Sequence, residues 1–114
     1  MLENEGKFEE ALKMYTESLL YSPSHYDLRK AIGRTQRLLG NHSQSIQTFE
    51  DLLKGFPISA NRNFAIAKSY YADGNRSKAL EHLEIVLNVW ENADATYKPA
   101  IEAREKWIEW NQSN

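Results

Sequence analysis

The chain has 114 residues, enough for one modest core and too few for two independent ones. Apolar residues make up 41% and charged residues 26%, a balance that argues for a folded chain and against a disordered one. A net charge of −2 gives no global pull toward nucleic acid or anionic membranes, and the absence of cysteine excludes disulfides, thiolate metal sites and cysteine nucleophiles.

The first residues, Met1-Leu2-Glu3-Asn4-Glu5-Gly6-Lys7, have neither the charged leader nor the apolar core of a secretory signal. No apolar run approaches the roughly 20 residues that span a bilayer. The expectation is a soluble, cytoplasmic chain that contacts neither membrane nor nucleic acid and carries no cofactor.

In chain order, helices are predicted over 7–21, 24–39, 43–55, 59–73, 77–90 and 96–111. The first has an apolar stripe of Phe8, Leu12, Tyr15 and Leu19. Pro23 and Pro57 cannot continue a helix interior and close the first and third. The second carries Leu28, Ile32 and Leu39 on one stripe and Asp27, Lys30, Arg34 and Arg37 on another. The corresponding outer stripe of the fourth is Asn61, Phe64, Lys68 and Tyr71, and on the last helix it is Lys98, Glu102 and Glu105. Serines, Asp94 and Thr96 are expected N-caps, and Pro99 falls in the first turn of the last helix, where its missing N–H matters little. There Ala100, Ile101, Trp107 and Ile108 are expected inward, with Glu102, Glu105, Lys106 and Glu109 facing water. Of the three tryptophans, Trp90 and Trp107 are assigned to packing and Trp110 to the surface.

A period runs through these elements. Gly6, Gly40 and Gly74 are each 34 residues from the next. At fixed offsets after each glycine come a small residue (Ala11, Ser45, Ala79), an aliphatic (Leu12, Ile46, Leu80), a bulky apolar residue (Tyr15, Phe49, Leu83) and leucine (Leu19, Leu53, Leu87). Proline follows twice, at Pro23 and Pro57, with Glu91 in the third place. The glycines mark turns where positive φ disfavours any side chain. The small residues let two helix backbones approach, and the bulky ones fill the groove between them.

This pattern resembles the tetratricopeptide repeat. Arg29 and Asn63 stand where that family prefers tryptophan, and Gln36 where it prefers tyrosine, without moving the register. The resemblance implies an all-α, right-handed superhelix of helix-turn-helix repeats in a single domain, 1–114. Its parts would be a partial first repeat at 1–23, a second at 24–57, a third at 58–91 and a capping helix at 95–111. Met1–Gly6 then reads as the remnant of a missing opening helix, as in a piece cut from a longer array.

The resemblance also implies that the first helix of each repeat lines a concave groove. The candidate partner-binding residues are therefore Lys30, Arg34, Arg37, Asn61, Phe64, Lys68 and Tyr71, a basic set beside aromatic rings that suits a protein or peptide segment carrying carboxylates. The family's clamp for chaperone C-terminal tails does not fit: Lys30 matches one position, but Arg34, Ala65, Ala95 and Pro99 occupy the others. The bland reading of the stripe is a solvated helix face.

Catalysis finds no constellation. His25, His42 and His82 are scattered and read as surface histidines, and no two are spaced to share a metal. No strand-to-helix elbow carries a serine, and the glycines form no phosphate-cradling loop. The Asn-X-Ser triplets at Asn41, Asn75 and Asn111 read as turns and caps. The expectation is a non-enzymatic interaction scaffold; the alternative is an oligomerisation or spacer segment that self-associates through Phe8, Leu12, Tyr15 and Leu19.

Overall fold

Two glycines with φ of +84°, Gly40 and Gly74, set the geometry of the chain reversals. Each ends a helix in the same way: Gly40 N–H donates to the Arg37 carbonyl and Asn41 N–H to that of Gln36, while Gly74 and Asn75 donate to Tyr71 and Tyr70. This is the paired closure that a left-handed residue just past a helix makes available. The computed structural model describes the backbone of residues 2–112 and the side chains of residues 6–112. Its helices are α1 (Leu2–Leu19), α2 (Tyr26–Leu38), α3 (His42–Leu53), α4 (Ala60–Ala72), α5 (Arg76–Val89) and α6 (Lys98–Gln112). No strand occurs among the described residues, and no described helix is long and apolar enough to cross a membrane.

The predicted elements are present, with ends shifted by a few residues. Caps come from His25, whose Nδ1 accepts from Leu28 N–H at 3.2 Å, from Ser59, and from Asn75, whose Oδ1 accepts from Lys78 N–H at 3.1 Å. One expectation fails at the start. Gly6 is not a turn: α1 runs from Leu2 through it without positive φ. A glycine in a helix costs only about 1 kcal/mol relative to alanine, too little to break it where no chain reversal is required.

Each helix packs on the next in sequence, and α2 also touches α4. The repeat columns become the core. Ser45, Ala79, Phe49 and Leu83 are all buried. Gly33 of α2 lies under the Phe49 ring so closely that a Cβ there would sit 2.7 Å from Phe49 Cζ. Beside it, the Ser45 hydroxyl donates to the Gly33 carbonyl at 2.7 Å and pairs with the Ser69 hydroxyl at 2.8 Å. The stripe Phe8, Leu12, Tyr15 and Leu19 is half-buried, and α1 packs on α2.

Asn63, standing where an aromatic was expected, is fully buried and fully used. Its amide nitrogen donates to the carbonyls of Pro57 and Ser59, both at 2.9 Å. That leaves Oδ1 to accept, so His82, with Nδ1 at 2.9 Å, must hold its proton on Nδ1. His82 also stacks on Tyr70 with centroids 5.5 Å apart, and the Tyr70 hydroxyl donates to Glu50 at 2.8 Å. It is therefore not a surface histidine: its imidazole replaces the apolar filling that Asn63 lacks. Burial, with the Glu50 bond and the nearby charges, pushes the Tyr70 hydroxyl up to about 12.

The last helix also departs from expectation. Trp110 is buried at 2% exposure and Ile108 is exposed at 57%, the reverse of their assignments. The inward face of α6 is set by Ala100, Ala103 and Trp110, the last two being seven residues apart. Trp110 stacks on Tyr71 of α4 with centroids 4.5 Å apart and planes 11° from parallel. Glu105 and Glu109 are exposed as expected, while Glu102 and Lys106 are half-buried.

Gly33→Ala should destabilise the fold by about 1–3 kcal/mol, because overpacking against Phe49 outweighs the gain in helix propensity. Adding Phe49→Leu reproduces the Ala67 and Leu83 pair found one repeat later and should recover part of the loss in a urea titration. A second expectation concerns pH. Burial foremost holds the His82 pKa below its usual 6.5, with the Lys78 charge in the same direction and Glu50 and Glu81 opposing. The unfolded chain then binds the proton first, so this contribution is present above the usual value and is lost as pH falls through it. His82→Gln should flatten that dependence.

Candidate functional site

Spacings of four and three residues bring Lys30, Arg34 and Arg37 onto one face of α2. Ile32, Gly33 and Thr35 turn inward and are buried. With α4 alongside, the basic face opens into a hollow of about 320 Å³. Its walls are Lys30, Arg34 and Arg37 from α2 and Asn61, Ala65 and Lys68 from α4, with Phe64 and Phe49 behind them. Six of the seven predicted residues thus meet in one cleft. The seventh, Tyr71, lines an adjoining hollow of about 280 Å³ with Glu102, Lys106, Glu109 and Trp110. Arg37 and Lys68 border both, so the two hollows form one groove along α2, α4 and α6.

The roles within the set differ. Phe64 is only 6% exposed and belongs to the core, forming a T-shaped pair with Trp90 at a centroid distance of 6.2 Å. The Lys68 ammonium lies 4.3 Å above the Phe64 ring, so this ring forms the floor rather than a free apolar anchor. Tyr71 is half-buried against Trp110. Lys30, Arg34 and Asn61 are exposed at the rim, and Arg37 is half-buried.

Among the described residues, Lys30, Arg34 and Arg37 have no carboxylate within 4 Å, whereas Lys68 Nζ lies 3.0 Å from a Glu102 oxygen. Burial lowers the Arg37 pKa, the charge of Arg34 lowers it further, and Glu102 opposes both. The guanidinium remains charged at any ordinary pH. Among the described residues no group of three His, Asp or Glu side chains is arranged to hold a metal.

Sequence reasoning missed the full part played by α6. Of the stripe Lys98, Glu102 and Glu105, only Glu102 lines the groove. The period itself carried the signal: Arg34, Lys68 and Glu102 are successive members of one column 34 residues apart. Large exposed apolar side chains lie elsewhere, among them Met14 on α1 and Leu20, Tyr21, Phe56 and Ile58 in the connections after α1 and α3.

Residues 31–57, covering most of α2 and all of α3, match the family model described as the tetratricopeptide repeat. The fold is similar to that of a solved MamA structure, "MamA RS-1 ArsTM double mutant", with a TM-score of 0.64 and 17% sequence identity over 96% of this chain and 69% of that one. At that identity the likeness is one of fold. No curated protein matches the sequence.

Proposed function

We propose that this chain, a member of the tetratricopeptide repeat family, is a protein-interaction scaffold that grips an acidic segment of a partner in the groove along α2 and α4. The observation that carries this reading is a set of cations the fold does not use. Lys30, Arg34 and Arg37 repel one another by about 0.2–0.5 kcal/mol per adjacent pair and meet no internal carboxylate within 4 Å among the described residues.

Their spacing suits a peptide. A helix rises about 1.5 Å per residue, so Lys30 and Arg34 stand about 6 Å apart along the axis of α2. An extended segment advances about 6.6 Å over two residues, which brings alternate carboxylates opposite successive cations. The guanidinium groups of Arg34 and Arg37 can each take a carboxylate through two parallel N–H donors. Asn61 at the rim offers both a donor and an acceptor for a partner's backbone. Phe64 supports the floor, and Tyr71 with Trp110 forms a wall.

Surface ion pairs are individually weak, so affinity must come from several acting together and should fall with salt. Immobilised domain should retain one or more proteins from source-cell lysate that the Arg34→Glu/Arg37→Glu variant fails to retain. Recovery of the same set by both, with the variant's helical circular dichroism intact, would show the basic face to be merely solvated.

A further inference from the structure

The groove already contains a carboxylate. Glu102 of α6 lies 3.0 Å from Lys68 Nζ and lines the hollow that Arg37 and Lys68 share with the basic cleft. We propose that Glu102 is an internal ligand of the groove, occupying its Arg37–Lys68 end, and that a partner binds by putting its own carboxylate in Glu102's place. The inference rests on the groove being the partner site, and it names the chemistry of that partner: a chain segment with one acidic group for the open Lys30–Arg34 end and another to displace Glu102.

Three observations support it. The first is the repeat column itself: Arg34 and Lys68 carry positive charge, and Glu102, one period further, reverses the sign. A column that lines a cationic groove on two helices thus supplies the groove's own counter-charge on the third. The second is the kind of contact. The ion pairs Asp51–Lys54, Lys78–Glu81 and Lys106–Glu109 each join residues three apart on one stretch of chain. Lys68–Glu102 instead crosses from α4 to α6, over the floor made by Phe64.

The third is that the pair can open without loosening the fold. Its side chains are 28% and 45% exposed, so water and a competing anion reach both. Helix α6 is held independently by Ala103 and Trp110 in the core and by the Trp110–Tyr71 stack. Removing Glu102 therefore takes away a competitor and leaves the walls of the groove in place.

The test is fluorescence anisotropy with a fluorescein-labelled hexaglutamate peptide, applied to the native domain and to three variants. Glu102→Gln should bind about three to ten times more tightly at low salt, the gap closing as salt screens the charges. Glu105→Gln removes the same charge one turn away, from an exposed residue that lines neither hollow, and should change affinity far less. An equal gain from both would reduce the effect to net charge and overturn the proposal. So would Glu102→Gln binding no tighter than the native domain while Arg34→Glu/Arg37→Glu abolishes binding; in that case the groove stands as the partner site without an internal ligand. Binding that Arg34→Glu/Arg37→Glu leaves intact, or no binding by the native domain and by Glu102→Gln alike, would overturn the groove reading and this proposal with it.

Discussion

The structure depends on how closely α2 and α3 approach. Gly33 admits the Phe49 ring where a methyl group would collide, and Ser45 fills the remaining contact with a hydroxyl that the Gly33 carbonyl satisfies. The third repeat reaches the same approach by a different route, with Ala67, Ala79 and Leu83 all buried. Interiors packed to this density transmit the position of one helix to the next. Because these contacts face inward, the opposite stripes of α2 and α4 are left to line a common cleft. The groove is thus a by-product of where the small residues sit.

The polar side chains of the core, Thr35, Ser45, Asn63 and Ser69, are tolerated because each finds a partner. The Asn63 amide caps two carbonyls of the connection before α4 and holds His82 in one tautomer, and His82 in turn stacks on Tyr70. An unpaired buried amide would forfeit about 1–3 kcal/mol. The substitution of a large ring by this set also explains why the packing of α4 on α5 carries a titratable group, which a purely apolar repeat would not.

Much of the fold was legible because its determinants are local and periodic. Gly40 and Gly74 mark reversals through positive φ, and the small and bulky columns mark the helix contacts. Gly6 misled because a glycine restricts nothing by itself; without a reversal to make, the helix runs through it. The inner face of α6 was misjudged because Ile101, Trp107 and Ile108 outweigh Ala103 on any hydrophobicity count. Packing instead selects the stripe of Ala103 and Trp110, which fits against α4 and α5. His82 could not be found from histidine spacing, since its partners Asn63 and Tyr70 lie on another helix. In the groove, the six predicted residues that meet share helix faces fixed by spacing alone. Glu102 joins them only through contact between α4 and α6, and its sign reversal in the column is visible once the period is extended.

The central claim is that the cationic cleft between α2 and α4 is where a partner chain binds. Titrating ¹⁵N-labelled domain with the hexaglutamate peptide and following amide shifts tests it residue by residue. The account predicts that the largest changes fall on 30–37 of α2 and 61–68 of α4, spreading toward Glu102. Changes centred instead on α1 or on the apolar connections at Tyr21, Phe56 and Ile58, with the cleft silent, would contradict it.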